Sequence, residues 1–277
     1  MYGAKELKLD LCDMQVDYIR FGKGPRTMVM IQGLNTRGIR GSALPLAYMY
    51  RKFVKDYTVY LFERRPEVDE GITVRDMAAD IARAMDALGL RRADVFGVSQ
   101  GGMIAQYLAI DRPDLVGKLV LAVTLAKSND TVIDAVNGWI RMAESGDMKS
   151  LVADMAERMY SEAYLRKYRP LLPLLTAVQR PRDVRRFTIL AKSCLTCDTY
   201  DELDRIGCPV LVLGGGSDKI VGGAASCEIA ERLGCEVYIY DELGHAAYEE
   251  AKDFNSRIFD FFTRQSTYLK TIVYKSI

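Results

Sequence analysis

Short, continuous apolar runs alternate along this chain with segments whose apolar residues recur at helical spacing, and this alternation restricts the possible folds. The runs are RTMVMIQGLN (26–35), YTVYLFERR (57–65), ADVFGVS (93–99), GKLVLAVT (117–124), CPVLVLGGGSD (208–218) and CEVYIYDE (235–242). Uninterrupted apolar runs of this length are typical of strands buried on both faces. Strands that alternate with helices predict an α/β domain with a parallel sheet and right-handed crossovers.

The helices between these runs have recognisable ends. Apolar residues keep helical spacing from Val74 to Leu88, Thr73 is placed to cap this helix, and Gly89 stands where helices commonly stop. An amphipathic helix is expected over 100–110, and further helices over 224–234 and 249–263. Two alternating segments near the N-terminus, ELKLDL and MQVDYIRF, predict additional strands.

Residues 127–197 interrupt the alternation with a segment that is helical throughout, with expected breaks at Gly138, Ser145-Gly146, Pro170, Pro173 and Pro181. A helical block between two strands of a parallel sheet predicts a cap over the carboxyl ends of the strands, where such sheets bind ligands. We therefore predict an α/β core formed by 1–126 and 198–277, and a helical cap over 127–197.

Charge and composition exclude several classes of function. A formal net charge of +1 over 277 residues lacks the basic excess that nucleic acid or an anionic membrane requires. Neither a signal peptide nor an apolar run of the roughly 20 residues that span a bilayer is evident, so a cytoplasmic protein with reduced thiols is expected. The expected partner is a small-molecule substrate, bound by a monomer or homodimer. Cys194 and Cys197 form a C-x-x-C pair without a second ligand pair, so no metal is predicted.

Gly97-Val98-Ser99-Gln100-Gly101 matches the pattern G-x-S-x-G and lies between a predicted strand and a predicted helix. A serine on so sharp a turn exposes its hydroxyl, and the glycines allow the strand and the helix to pack closely. Ser99 is therefore the candidate nucleophile, with Gly97 and Gly101 as the elbow glycines.

A serine nucleophile needs a general base and a carboxylate that orients the base. The only histidine, His245, follows a predicted strand and Gly244. Asp218 also follows an apolar strand, and we prefer it to Asp241 and Glu242 because those lie within or at the end of the strand before His245. Two backbone N–H groups should bind the oxyanion, and we assign them to Gln100 and Leu34.

The segments GVSQGG, GGGSDKI and ELGHAAY, in this chain order, resemble those of α/β-hydrolases that carry a helical cap. The resemblance implies an eight-stranded, mostly parallel sheet and hydrolysis without a cofactor. Two departures stand out. Gln32-Gly33 replaces the usual His-Gly of the oxyanion loop, and FERRPEVDEGIT (62–73) replaces the usual Asp-x-Arg-Gly-x-Gly-x-Ser, which predicts a reshaped pocket wall.

Three functions fit this sequence to different degrees. The leading hypothesis is a serine hydrolase that cleaves an ester, thioester or amide of a small, largely apolar acyl compound. A second hypothesis is a carbon–carbon hydrolase of ring-fission dienones with the same triad, which would use arginines such as Arg182, Arg185 or Arg186 for the substrate carboxylate. The third is a non-catalytic ligand-binding protein with the same fold. Aspartate-nucleophile relatives, the haloalkane dehalogenases and epoxide hydrolases, are disfavoured by Ser99.

Overall fold

One eight-stranded sheet forms the centre of the protein in a computed structural model that describes residues 1–168 and 180–265. The strands are β1 (Lys5–Leu11), β2 (Met14–Gly22), β3 (Arg26–Ile31), β4 (Tyr57–Phe62), β5 (Ala93–Val98), β6 (Val116–Ala122), β7 (Val210–Gly215) and β8 (Glu236–Tyr240). Their order across the sheet is β1-β2-β4-β3-β5-β6-β7-β8. β2 pairs antiparallel with β1 and β4, whereas every other pair is parallel. The prediction of an eight-stranded, mostly parallel sheet is confirmed.

The sheet separates two hydrophobic cores, because successive residues of a strand point to opposite faces. Val29 and Ile31 of β3 belong to one core, whereas Met28 and Met30 belong to the other. Both faces of the central strands are therefore buried, which explains why their sequences are continuously apolar rather than alternating.

Ten α-helices lie within the described residues. They are α1 (Ala43–Met49), α2 (Val74–Ala87), α3 (Gln100–Asp111), α4 (Asp130–Glu144), α5 (Met148–Met159), α6 (Glu162–Tyr168), α7 (Val184–Ser193), α8 (Ala225–Leu233), α9 (Ala247–Glu250) and α10 (Phe254–Thr263). Short 3₁₀ helices cover Cys194–Thr196 and Tyr200–Arg205. The predicted breaks at Pro170 and Pro173 lie outside the described residues, as does the part of the predicted core beyond residue 265.

Several helix boundaries agree with the sequence and others do not. Thr73 caps α2 in a capping box with Asp76, as predicted for Thr73. The expected break at Gly138 was wrong, because α4 continues through this residue. A glycine costs an interior helical position only about 1 kcal/mol, and α4 offsets that by burying Trp139 and other apolar side chains.

Three further differences concern helices. The predicted helix 249–263 is divided into α9 and α10 by extended backbone at Ala251. The predicted amphipathic character of α3 was also wrong, because every residue from 100 to 110 is buried. Helix α1 had no counterpart in the sequence-based expectations. This helix has three exposed large apolar side chains, Leu44, Tyr48 and Met49, which obscure an amphipathic pattern.

The two ends of the segment 127–197, which is described except for residues 169–179, lie beside each other. The Ser128 N–H donates to the Cys197 carbonyl at 3.2 Å, and the Thr199 N–H donates to the Ala126 carbonyl at 2.7 Å. The segment follows the carboxyl end of β6, so its base lies at the edge of the sheet where parallel strands meet their functional loops. Across the residues that the structure describes, no helix is both long and apolar enough to cross a membrane.

Candidate active site

Ser99 occupies a strained turn between β5 and α3. Its φ of 54° and ψ of −122° lie in a region that non-glycine residues rarely adopt, and such strain is found chiefly at functional turns. Close packing imposes the turn. A Cβ atom on Gly97 would lie 2.5 Å from the Gly101 carbonyl oxygen, so only glycine allows the strand and the helix to approach this closely.

Ser99, His245 and Asp218 form one chain of hydrogen bonds. The Ser99 Oγ atom lies 2.8 Å from His245 Nε2, and His245 Nδ1 lies 2.7 Å from Asp218 Oδ2. His245 and Asp218 are buried, being only 4% and 6% exposed. The structure thus brings together Ser99 and His245, which are 146 positions apart, with Asp218, which lies 27 positions before His245.

The loop after β7 fixes the Asp218 carboxylate. Its Oδ1 atom accepts the backbone N–H groups of Ile220 at 2.8 Å and Val221 at 3.0 Å. These bonds occupy Oδ1 and leave Oδ2 free to accept from the imidazole. Asp218 therefore has a single orientation, with each oxygen committed to different partners. Asp241 and Glu242 are both exposed and have no hydrogen bond to His245.

The backbone after β3 passes directly beside Ser99. A Cβ atom on Gly33 would lie 3.2 Å from the Ser99 Cβ atom and 3.8 Å from its Oγ atom. The peptide that joins Gly33 to Leu34 is therefore next to the candidate nucleophile, and Gln100 follows the nucleophile at the start of α3. Both predicted oxyanion donors lie on backbone segments adjacent to the Ser99 hydroxyl.

Arg64 is a buried cation behind these two segments. Its Nη2 atom donates to the Gln32 carbonyl at 2.5 Å and to the Gln100 Oε1 atom at 3.0 Å, and it lies 3.4 Å from the Gly33 carbonyl. Arg64 is 4% exposed, and its Nε and Nη1 atoms are buried without a hydrogen-bond partner. Burial lowers the pKa of Arg64 to about 10, so the guanidinium remains charged at neutral pH.

The side chain of Gln100 joins the elbow to the helical segment. Its Nε2 atom donates to the Leu190 carbonyl at 2.7 Å and lies 3.1 Å from Ser193 Oγ and 3.2 Å from Cys194 Sγ. These partners lie at the end of α7 and the start of the following 3₁₀ helix. Gln100 is 1% exposed, so the amide has no access to water that could replace these bonds.

Thr124 supports the other side of the elbow. Its Oγ1 atom donates to the Ser99 carbonyl at 2.8 Å, an oxygen that also accepts the N–H groups of Gly102 and Met103. The Ser99 carbonyl and the Gln100 N–H belong to one planar peptide, so fixing the carbonyl also fixes the direction of the N–H.

The helical segment also contacts the loop that carries His245. The Ala246 N–H donates to the Met159 carbonyl at 2.8 Å, and the Ser161 N–H donates to the Glu250 carboxylate at 3.0 Å. A Cβ atom on Gly244 would lie 3.2 Å from the Met159 carbonyl oxygen. A side chain at this position would therefore press against the backbone at the end of α5.

The C-x-x-C cysteines are buried free thiols. Burial raises the pKa of Cys194 to about 11 and that of Cys197 to about 12, which keeps both protonated and poorly reactive. Within residues 1–168 and 180–265, no group of three or more His, Cys, Asp and Glu side chains could hold a metal ion.

Sequence reasoning missed the roles of Arg64 and Thr124 around the elbow. Arg64 and Arg65 lie in the loop after β4, where the sequence differs from the usual pattern of similar proteins. Nothing in the sequence distinguishes the roles of the two arginines. Arg65 instead binds Asp80 through two hydrogen bonds. Thr124 follows β6 as one more polar residue at a strand end, and only the sheet order places it beside Ser99.

Comparison with known proteins identifies relatives along most of the chain. The chain is 28% identical over 257 residues to the dihydrolipoyllysine-residue acetyltransferase component of an acetoin cleaving system from Cupriavidus necator, covering 89% of this chain and 66% of that protein. It is 26% identical over 255 residues to a putative carbamate hydrolase RutD from Rhizobium rhizogenes, covering 83% of this chain and 91% of the relative. The chain thus spans just under two thirds of the first relative and most of the second.

Solved structures show the same fold. The enol-lactonase from Burkholderia xenovorans superposes with a TM-score of 0.81 at 19% identity, covering 93% of this chain and all of that one. The family model described as "alpha/beta hydrolase fold" matches residues 33–252, a range that includes Ser99, Asp218 and His245. The chain therefore belongs to the α/β-hydrolase fold family and is an enzyme of the hydrolase type.

Proposed function

We propose that this protein hydrolyses an ester, thioester or amide bond of a small, largely apolar acyl compound through a covalent intermediate on Ser99. The observation that carries the proposal is the hydrogen-bond chain from Ser99 Oγ through the imidazole of His245 to Asp218, with distances of 2.8 and 2.7 Å. A nucleophile, a base in reach of its proton and a carboxylate that orients the base are the parts that acyl transfer needs.

In the first half of the reaction, Ser99 Oγ attacks the substrate carbonyl carbon while its proton passes to His245 Nε2. The tetrahedral oxyanion accepts the backbone N–H groups of Leu34 and Gln100. The bond between carbon and the leaving heteroatom then breaks, and the leaving group takes the proton from His245. An acyl ester on Ser99 remains.

In the second half, water attacks the acyl ester and gives a proton to His245 Nε2. The same two N–H groups hold the second oxyanion. Its collapse breaks the bond to Ser99 Oγ, which recovers the proton from His245, and the carboxylic acid product leaves. Asp218 remains a carboxylate throughout and stabilises the imidazolium in both halves.

The named relatives support hydrolysis of an ester or a similar acyl bond rather than of a carbon–carbon bond. A lactone is a cyclic ester, and a carbamate contains an acyl carbon bonded to oxygen and nitrogen. Proteins named for hydrolysis of both bond types are similar to this chain. Of the three arginines predicted for the carbon–carbon alternative, Arg182 and Arg185 are exposed and Arg186 is already bonded. Arg186 donates to the carbonyls of Arg65 and Pro66 at 2.6 and 2.7 Å, so this guanidinium already has backbone partners.

Labelling with a fluorophosphonate probe tests the nucleophile. The wild-type protein should label, Ser99→Ala should not, and Ser217→Ala should label normally because Ser217 is an exposed serine that donates to the Asp241 carbonyl. Absence of wild-type labelling, or equal labelling of Ser99→Ala, shows that Ser99 is not the nucleophile.

A substrate panel tests the bond. p-Nitrophenyl acetate and butyrate should be turned over, and His245→Ala should be folded and inactive on both. Ring-fission dienones should be unchanged at the same enzyme concentration. Turnover of a dienone well above the ester rate would favour the carbon–carbon reaction, and an active His245→Ala would disprove the proposed mechanism.

A further inference from the structure

We propose that Arg64 is a positioning residue for the oxyanion hole: its buried guanidinium holds the two backbone segments that supply the oxyanion donors in their working orientation. This inference rests on the proposed function, because it assumes that Leu34 and Gln100 donate to a developing oxyanion. It concerns a side chain that contacts neither Ser99 nor His245 through any hydrogen bond given by the structure.

Peptide planarity couples the Arg64 contacts to the direction of the Leu34 N–H. The Gly33 carbonyl and the Leu34 N–H belong to one trans peptide, so they point in opposite directions. Arg64 Nη2 lies 3.4 Å from the Gly33 oxygen and 2.5 Å from the Gln32 oxygen. Holding these oxygens on the side of Arg64 turns the Leu34 N–H away from Arg64, and the charge also polarises the peptide and strengthens its N–H as a donor.

The same Arg64 nitrogen also reaches Gln100, the other donor residue. Arg64 Nη2 donates to Gln100 Oε1 at 3.0 Å, and the Gln100 amide continues to the Leu190 carbonyl at 2.7 Å. One guanidinium nitrogen therefore links the loop after β3 with the residue after the nucleophile. The relative position of the two oxyanion donors depends on this link as well as on the sheet.

Keeping the Arg64 guanidinium buried costs free energy. A buried N–H without a partner costs free energy, and Arg64 has two such atoms, Nε and Nη1. Hydrophobic residues of similar volume often replace buried charges without loss of stability. A charged side chain in this place is thus poorly explained by stability alone, whereas orientation of a catalytic donor pair requires a long, planar, multivalent donor.

Kinetics of Arg64→Met provide the direct test, since methionine keeps an apolar stem and removes every donor. With p-nitrophenyl acetate, kcat should fall about 10- to 100-fold, and KM should change by about twofold or less. This loss of kcat is no larger than the loss of about 10²–10³-fold caused by deleting one oxyanion donor, because Arg64 acts on the donors indirectly. Trifluoroacetone adds the Ser99 hydroxyl to its carbonyl and forms a hemiketal whose oxyanion occupies the same position. Inhibition by trifluoroacetone should therefore weaken by the same factor as kcat/KM.

Arg65→Met is the matched control, because it removes the neighbouring arginine and its bonds to Asp80 without touching the oxyanion segments. We expect a lower Tm but unchanged kcat and unchanged trifluoroacetone affinity. If Arg64→Met is folded and has wild-type kcat and trifluoroacetone affinity, Arg64 does not position the oxyanion hole. A matching loss in Arg65→Met would also overturn the inference, since it would indicate a general effect of the loop.

Two further variants keep the test decisive if Arg64→Met does not fold. Arg64→Lys retains a charged donor on a long stem, whereas Arg64→Gln retains a neutral donor on a short one, so the lysine variant should keep more of the wild-type kcat. Equal kcat in the two folded variants would overturn the inference. Ser99→Ala and His245→Ala, measured in the same assay, separate the two proposals, because activity in those variants would refute the proposed function itself.

Discussion

Gly101→Ala should disable the enzyme by moving the oxyanion loop. A Cβ atom at this position would lie 2.0 Å from the Ile31 carbonyl oxygen and 2.5 Å from the Gln32 carbonyl oxygen. Carbon and carbonyl oxygen normally approach no closer than about 3.3 Å, so the end of β3 and the start of α3 must separate by about 1.3 Å. The displaced backbone includes the peptides that lead to Leu34.

A misplacement of about 1 Å in a catalytic geometry costs roughly 100-fold in rate, so we expect kcat for p-nitrophenyl acetate to fall by about that factor. Overpacking of this kind costs about 1–3 kcal/mol, and Tm should drop by about 2–4 °C per kcal/mol. Steady-state kinetics and a thermal melt of the same preparation measure both quantities.

Gly138→Ala is the matched control, because it makes the same substitution within a helix where space is available. The nearest atom to a Cβ there is Met142 Cε at 3.8 Å, and alanine is the better helix former by about 1 kcal/mol. Its Tm should be unchanged or higher and its kcat unchanged. A folded Gly101→Ala with wild-type kcat would refute the reasoning, as would an equal loss of activity in both variants.

The remaining predictions concern the elbow's supports and a buried carboxyl. In Asp218→Asn, the bonds from Ile220 and Val221 hold the amide oxygen, so the NH₂ group faces His245 and selects the wrong tautomer. We expect kcat to fall by about 10³–10⁴-fold with a native circular-dichroism spectrum; activity near wild type would contradict this. Thr124→Val removes one of three hydrogen bonds to the Ser99 carbonyl. The free energy of unfolding should fall by about 1 kcal/mol and kcat by less than tenfold. A larger loss of kcat than in Arg64→Met would show that Thr124 matters more than Arg64 for the oxyanion donors. Burial raises the pKa of Asp94 above its ordinary value. Its contribution to stability is therefore complete below about pH 4 and is lost as pH rises through the folded-state pKa. The Tm of the wild-type protein minus that of Asp94→Asn should decrease from pH 4 to pH 7, and a constant difference would show that Asp94 does not titrate in this way.

The positions of the candidate catalytic residues could be predicted because each follows an apolar run that had to be a strand. Ser99, Asp218 and His245 stand after β5, β7 and β8, and parallel strands bring their carboxyl ends to one edge of the sheet. Strand positions accurate to within a few residues are enough to place these three side chains at that edge. For the same reason, the small errors at strand ends, such as β8 ending at Tyr240 rather than 242, had no effect on this placement.

The residues that support the site could not be predicted, because their roles depend on contacts between segments distant in sequence. Arg64 and Arg65 are neighbours with identical chemistry, yet one bonds the oxyanion loop and the other bonds Asp80. The break expected at Gly138 was wrong for a related reason, since local propensity of about 1 kcal/mol is smaller than the stabilisation from burying one face of α4.

The hydrogen bonds from Gln100 to the end of α7 limit how this enzyme can be altered. We expect that exchanging residues 127–197, the predicted cap, for the corresponding segment of a relative would change which substrates enter. Such a chimera would also remove Leu190, Ser193 and Cys194 as partners of the buried Gln100 Nε2 atom, leaving this donor unsatisfied next to the candidate nucleophile. Substrate range and turnover rate should therefore change together in such a chimera. We expect a normal turnover rate only when the new segment supplies a carbonyl acceptor to the Gln100 amide.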